Sequence, residues 1–85
     1  MMKIEIFRDG DTATLRISGQ IDEDHLTAIQ AELRRYRPRV VLDLAEATLV
    51  DRAVVRFLAA REGEGIELRN CPRYVRQWIG GEPSE

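Results

Sequence analysis

The chain has 85 residues, room for one domain, and a domain that short buries a smaller share of its surface than a larger one. Hydrophobic residues make up 44% and charged residues 33%, enough for one core and too apolar for a disordered chain. With 13 basic against 15 acidic side chains the net charge is -2, so the basic surplus that non-specific DNA or RNA binding requires is missing and nucleic acid is not expected as a partner.

Ile4 and Ile6 alternate with Lys3 and Glu5, the pattern of a half-buried strand. Asp9-Gly10 follows as a turn pair, because both residues tolerate positive φ. Ala13, Leu15 and Ile17 then share one face of a second strand, opposite Thr12, Thr14, Arg16 and Ser18. Leu26, Ile29, Leu33 and Tyr36 recur at steps of three and four, which predicts a helix. Asp22 is its expected N-cap, with Glu23 and Asp24 at its positive end, Arg34 and Arg35 at its negative end, and Pro38 closing it.

Val40-Val41-Leu42, Asp43 and Leu44 form a nearly continuous apolar run, which predicts a strand covered on both faces. Asp51 caps a second helix, with Val54, Val55 and Leu58 on its core side, Phe57 alongside, and Gly63 or Gly65 ending it. Ile66 and Leu68 alternate with Glu67 and Arg69 in a fourth strand, expected at a sheet edge. Pro72 suits the first turn of a third helix. Tyr74, Val75, Trp78 and Ile79 form its apolar stripe, Trp78 reads as core, and Gly80 ends it.

The order β-β-α-β-α-β-α defines an α/β fold: a small mixed sheet of about four strands, an N-terminal hairpin followed by parallel strands joined by right-handed crossovers and packed with helices. One domain is expected over residues 1–80, with 81–85 as a loose tail. The first residues lack a signal-peptide pattern and no apolar run is long enough to span a bilayer. Cys71, the single cysteine, gives no sign of an oxidising compartment. A soluble cytoplasmic domain without membrane contact is the expectation.

Ligands and partners of open α/β sheets usually meet the carboxyl ends of the parallel strands. Two loops leave that rim with an acidic cap, Ser18-Gly19-Gln20-Ile21-Asp22 and Thr48-Leu49-Val50-Asp51, and they should converge if their strands are neighbours.

Gly19-Gln20-Ile21-Asp22, Val40-Val41-Leu42-Asp43-Leu44 and Thr48-Leu49-Val50-Asp51, in this order and spacing, resemble the STAS domain, the sulfate transporter and anti-sigma factor antagonist family. The resemblance covers residues 3 to 79. It implies a non-catalytic, regulatory interaction module similar to an anti-sigma factor antagonist, which binds a serine-kinase anti-sigma factor and is switched off by phosphorylation. Asp22 matches the family's loop aspartate, and Asp51 the aspartate that opens its Asp-Ser-Ser-Gly motif. The next three residues depart from that motif: Arg52 stands at the first serine, Ala53 at the phosphate-accepting serine and Val54 at the glycine. Ala53 has no hydroxyl, so the usual switch, a charge change of about -1.5 to -2 beside Asp51, is lost.

The resemblance implies a partner surface of Asp22, Asp51, Arg52, Ala53 and Arg56. The implied partner is an anti-sigma factor, a related serine kinase or another regulator. Longer members resemble a fold with one more strand and helix, which would leave the fourth strand's edge open to a partner or a second copy; that Glu67 and Arg69 simply keep the edge soluble is the preferred reading. A ligand-sensing domain for a nucleotide or lipid is the alternative function.

Other chemistry is weaker. Asp22 and Asp51 are explained as helix caps without a catalytic role. His25 has no second ligand-type neighbour at metal spacing, so neither a metal nor another cofactor is expected. Cys71 sits at a strand-to-helix junction where amide dipoles lower thiol pKa values, but no anion-binding loop accompanies it, and a structural thiol is the preferred reading. Arg34, Arg35, Arg37 and Arg39 surround Tyr36, a set able to contact phosphate; their place at a helix C-terminus in an acidic chain is the simpler account.

Overall fold

The structure is a computed structural model and describes residues 2–81. Strands β1 (Lys3–Asp9) and β2 (Thr12–Ile21) pair antiparallel, from Lys3 opposite Ser18 to Asp9 opposite Thr12. The turn is Gly10-Asp11, so Asp9 belongs to the strand and not to the turn pair. Gly10 takes φ +61, the left-handed value that the first central position of such a two-residue turn demands.

A single 3-10 turn, Glu23–His25, leads into α1 (Leu26–Tyr36), so Asp22 caps the 3-10 turn and not the α-helix itself. Strands β3 (Val40–Asp43) and β4 (Ala47–Val50) follow, then α2 (Arg52–Gly63), β5 (Glu67–Arg69) and α3 (Arg73–Gly81). Helix α2 ends as expected near Gly63, and Gly65, at φ +101, makes the left-handed step to β5. The Pro72 carbonyl accepts from the Arg76 N–H at 3.0 Å, so Pro72 immediately precedes α3. The last helix continues through Gly81, one residue past the expected stop, and the rest of the expected tail, 82–85, lies outside the described residues.

The mixed sheet runs β1-β2-β3-β5, with β4 also paired to β2. It therefore has five strands, not about four. Strand β2 is long enough to serve two parallel partners, β3 beside Ala13–Arg16 and β4 beside Gly19–Ile21, with a register shift between Gly19 and Gln20. The sequence hides β4 because a four-residue segment with only Val50 buried carries no readable period. Strand β5 pairs only with β3 and is the predicted edge.

The steps from β2 through α1 to β3, and from β3 through α2 to β5, cross the sheet in the same direction. Right-handed crossovers of one direction place both helices on one face. One cluster accordingly joins Leu15, Ile17 and Leu42 to Ile29 and Leu33 of α1, Val54, Val55 and Leu58 of α2, and Val75 of α3. The cover expected on both faces of β3 is present, since all four of its residues are buried. Val40 and Leu42 meet the helices, whereas Val41, though buried, lies outside the cluster on the other face, beside Thr14 and Glu67.

Asp43 shares that far face and is 4% exposed. Its Oδ1 accepts from the Ala45 N–H at 2.9 Å and the Asn70 Nδ2 at 3.1 Å, and its Oδ2 lies 3.4 Å from Arg16. Burial opposes its charge, but these donors and the Arg16 guanidinium outweigh it and hold the carboxyl below its ordinary pKa. Asn70 reaches it from a left-handed backbone at φ +56, which asparagine tolerates better than most residues. Arg16 in turn lies 5.0 Å over the Phe7 ring, so one carboxylate fastens β2, β3 and the exit of β5.

Candidate functional site

The two segments expected as acidic loops are paired strand ends instead, residues 18–21 in β2 and 48–50 in β4, and the chain leaves the sheet only at Asp22 and Asp51, which meet at its carboxyl rim. The register that places β4 beside the end of β2 brings Val50 opposite Ile21, and the Asp51 N–H donates to the Ile21 carbonyl at 3.2 Å. Asp51 then serves both loops. Its Oδ1 accepts from the Val54 N–H at 3.1 Å and caps α2, while its Oδ2 accepts from the Glu23 N–H, also at 3.1 Å.

Asp22 organises the first loop. Its Oδ1 accepts from the Asp24 N–H at 3.0 Å, and its own N–H donates to His25 Nδ1 at 3.2 Å. The same Nδ1 lies 3.4 Å from the Asp22 carboxylate, so the imidazole packs against the start of its own turn. His25 is thereby used locally. Among the described residues no group of three or more His, Cys, Asp and Glu side chains is arranged to hold a metal ion.

Arg52 is exposed at the first position of α2, Ala53 is half-buried beside it, and Arg56 is exposed one turn further on the same stripe as Arg52. Asp22, Asp51, Arg52, Ala53 and Arg56 thus lie along two neighbouring loops and one helix turn.

Next to them lies an apolar patch absent from the sequence reading. Trp78 is 46% exposed and Tyr74 36%, so only Val75 of the predicted stripe is fully buried, and the core placement of Trp78 is corrected. Tyr74 and Trp78 form one ridge of α3 and Val75 and Ile79 the next. A single terminal helix lays only one ridge on the sheet layer, and the other stays outside. The Tyr74 hydroxyl accepts from the Val50 N–H at 3.1 Å, and Trp78 meets the Tyr74 ring edge-on at 6.2 Å. The neighbouring Leu49 is 53% exposed. The four-residue spacing of Tyr74 and Trp78 was the available signal.

Cys71 follows β5 and packs, partly buried, against the core cluster. Burial pushes its thiol up and Arg76 only partly opposes this, so the dipole-lowered thiol imagined from its junction position does not arise. Labelling by a thiol-directed probe at neutral pH should therefore be slower than that of an exposed cysteine peptide under the same conditions, and equal or faster labelling would contradict this environment.

The domain is thus a helix layer on a mixed sheet, with Asp22 and Asp51 side by side at the rim where its parallel strands end. The family model described as "Mlab, STAS domain" matches residues 4–79, and the chain belongs to the STAS domain family, which includes anti-sigma factor antagonists and is generally non-catalytic. No curated protein matches the chain. A solved structure described as "Crystal Structure Analysis of Mglu" is similar, with a TM-score of 0.56 and 26% identity over 81% of this chain and 19% of that one. The present chain thus spans about a fifth of that protein's length. No helix of the described residues is long and apolar enough to cross a membrane.

Proposed function

We propose that this chain is a non-catalytic regulatory module that binds a protein partner through the carboxyl rim of its sheet. In this reading it resembles an anti-sigma factor antagonist lacking the serine switch, and its partner is an anti-sigma factor, a related serine kinase or another regulator. The observation that carries the reading is Asp51, whose carboxylate ties the first loop to the start of α2. That pair of hydrogen bonds makes Asp22, Arg52, Ala53 and Arg56 parts of one preorganised surface, and preorganisation lowers the ordering cost of association.

The exposed Leu49, Tyr74 and Trp78 supply the other half of an interface. Tyrosine, tryptophan and arginine are the side chains that most often dominate binding energy at protein contacts. Ala53 fits a partner whose binding is not released by phosphorylation at this position, because no acceptor oxygen stands there.

The test is a pull-down from the native cell with wild type, Arg52→Glu and Trp78→Ala. Both substitutions lie at exposed positions, so each variant should stay within about 1 kcal/mol of wild-type stability. Loss of a specific partner in both variants is the expected result. Identical partner sets for all three proteins would count against this surface.

A further inference from the structure

We propose a second binding site, at the opposite, amino-end rim of the sheet, for a polyanion of linked phosphates: inorganic triphosphate or the phosphate tail of a nucleotide. The site is a cleft of about 570 Å³ lined by Arg8, Arg35, Arg37, Arg39, Tyr36 and Asp11, among others. Its volume falls in the range of small-molecule sites, roughly 300–1,000 Å³.

The four arginines come from three parts of the chain. Arg8 is near the end of β1, Arg35 is in the last turn of α1, and Arg37 and Arg39 belong to the link before β3. Among the described residues, none of the four has a carboxylate within ion-pair distance, although Asp11 lines the same cleft. Four arginines elsewhere do have such a partner: Arg16 with Asp43, Arg61 with Glu64, Arg69 with Glu67 and Arg76 with Glu62. A chain with more acidic than basic residues has carboxylates to spare, yet this cleft gathers four guanidinium groups against one.

Placement at a helix C-terminus accounts for Arg35 but not for Arg8, which another element delivers to the same place. The cluster is also held in position. Arg8 and Arg35 lie 5.6 and 6.0 Å from the centre of the Tyr36 ring. The Arg37 N–H donates to the Leu33 carbonyl at 3.0 Å, and the Arg39 carbonyl accepts from the Ala13 N–H at 2.9 Å, so the link is fastened to α1 and to β2.

Guanidinium forks match phosphate oxygens two at a time, and several converging on one compact cleft suit a small, highly charged anion. With two guanidinium groups stacked on Tyr36, recognition falls to the charges and not to a base. An extended acidic peptide would instead favour cations spread along a groove. This site shares no residue with the partner surface, so either can fail alone.

The experiment is calorimetric titration of the full chain at low ionic strength with sodium triphosphate, ATP, AMP and a tetraglutamate peptide. Triphosphate should bind saturably and weaken steeply with added salt, as screening of exposed charges requires. In the double variant Arg37→Glu, Arg39→Glu the affinity should fall about a hundredfold, because two charge-assisted contacts are reversed. The thermal midpoint of that variant verifies folding, and a variant at a remote arginine, Arg69→Gln, should bind as wild type does. ATP binding equal to or above triphosphate identifies a nucleotide tail as the source, and weaker ATP binding identifies free oligophosphate. No heat at millimolar triphosphate, unchanged affinity in the double variant, or tetraglutamate binding as tightly as triphosphate would each overturn the site.

Discussion

Asp51→Ala should lower stability by about 2 kcal/mol, from a lost helix cap and a lost loop bond, with a fall in Tm of roughly 10 °C. The cap to Val54 supplies most of the effect, since the Glu23 N–H is exposed and water replaces its acceptor in part. Asp51→Ser separates the two roles. Serine still caps α2, but its single oxygen cannot hold the first loop as well. Its stability should therefore fall by less than about 1 kcal/mol while the Glu23 amide loses hydrogen-exchange protection. Unchanged exchange at Glu23 in Asp51→Ala would mean that the carboxylate does not join the loops.

Asp43→Ala should cost more, about 3 kcal/mol, because it strands the Ala45 N–H, the Asn70 amide and the Arg16 guanidinium together. Asp43→Asn retains one carbonyl oxygen for Ala45 and should cost less than the alanine variant. The pH dependence has a definite sign. The folded-state pKa is lowered, so stability from the carboxylate is fully present above its unfolded value of about 3.9 and is lost as pH falls through the folded value. The stability gap between wild type and Asp43→Asn, measured by urea unfolding, should be constant near neutrality and narrow as the pH drops below about 4. A gap that widened on acidification would refute the assigned role of this carboxylate.

Both aspartates were visible in the sequence, but to different degrees. Asp51 could be placed because it stands directly before a helical period, where a capping side chain has a local target three residues on. Its second bond, to Glu23, spans 28 residues and has no local signature. Asp43 interrupted an apolar run, and nothing nearby announced its partners, since Arg16 and Asn70 each lie 27 residues away. The stripe assigns Trp78 to the core, yet it stays outside, because a helical period identifies an apolar face without saying how wide a strip of it the neighbouring layer covers. Arg8 could not be joined to Arg35, Arg37 and Arg39 before the hairpin register was known.

The residue order by itself determined the α/β class, the hairpin, the three helices, the cap of α2 and the family, because periodicity, capping and turn chemistry act within a few residues. Only the tertiary structure decided that β2 carries two parallel partners, that the helices share one face, that Tyr74 and Trp78 stay outside, and that four arginines gather at one end. Those outcomes depend on pairing register and on the area one layer can cover, and both are properties of segments far apart in the chain meeting in space.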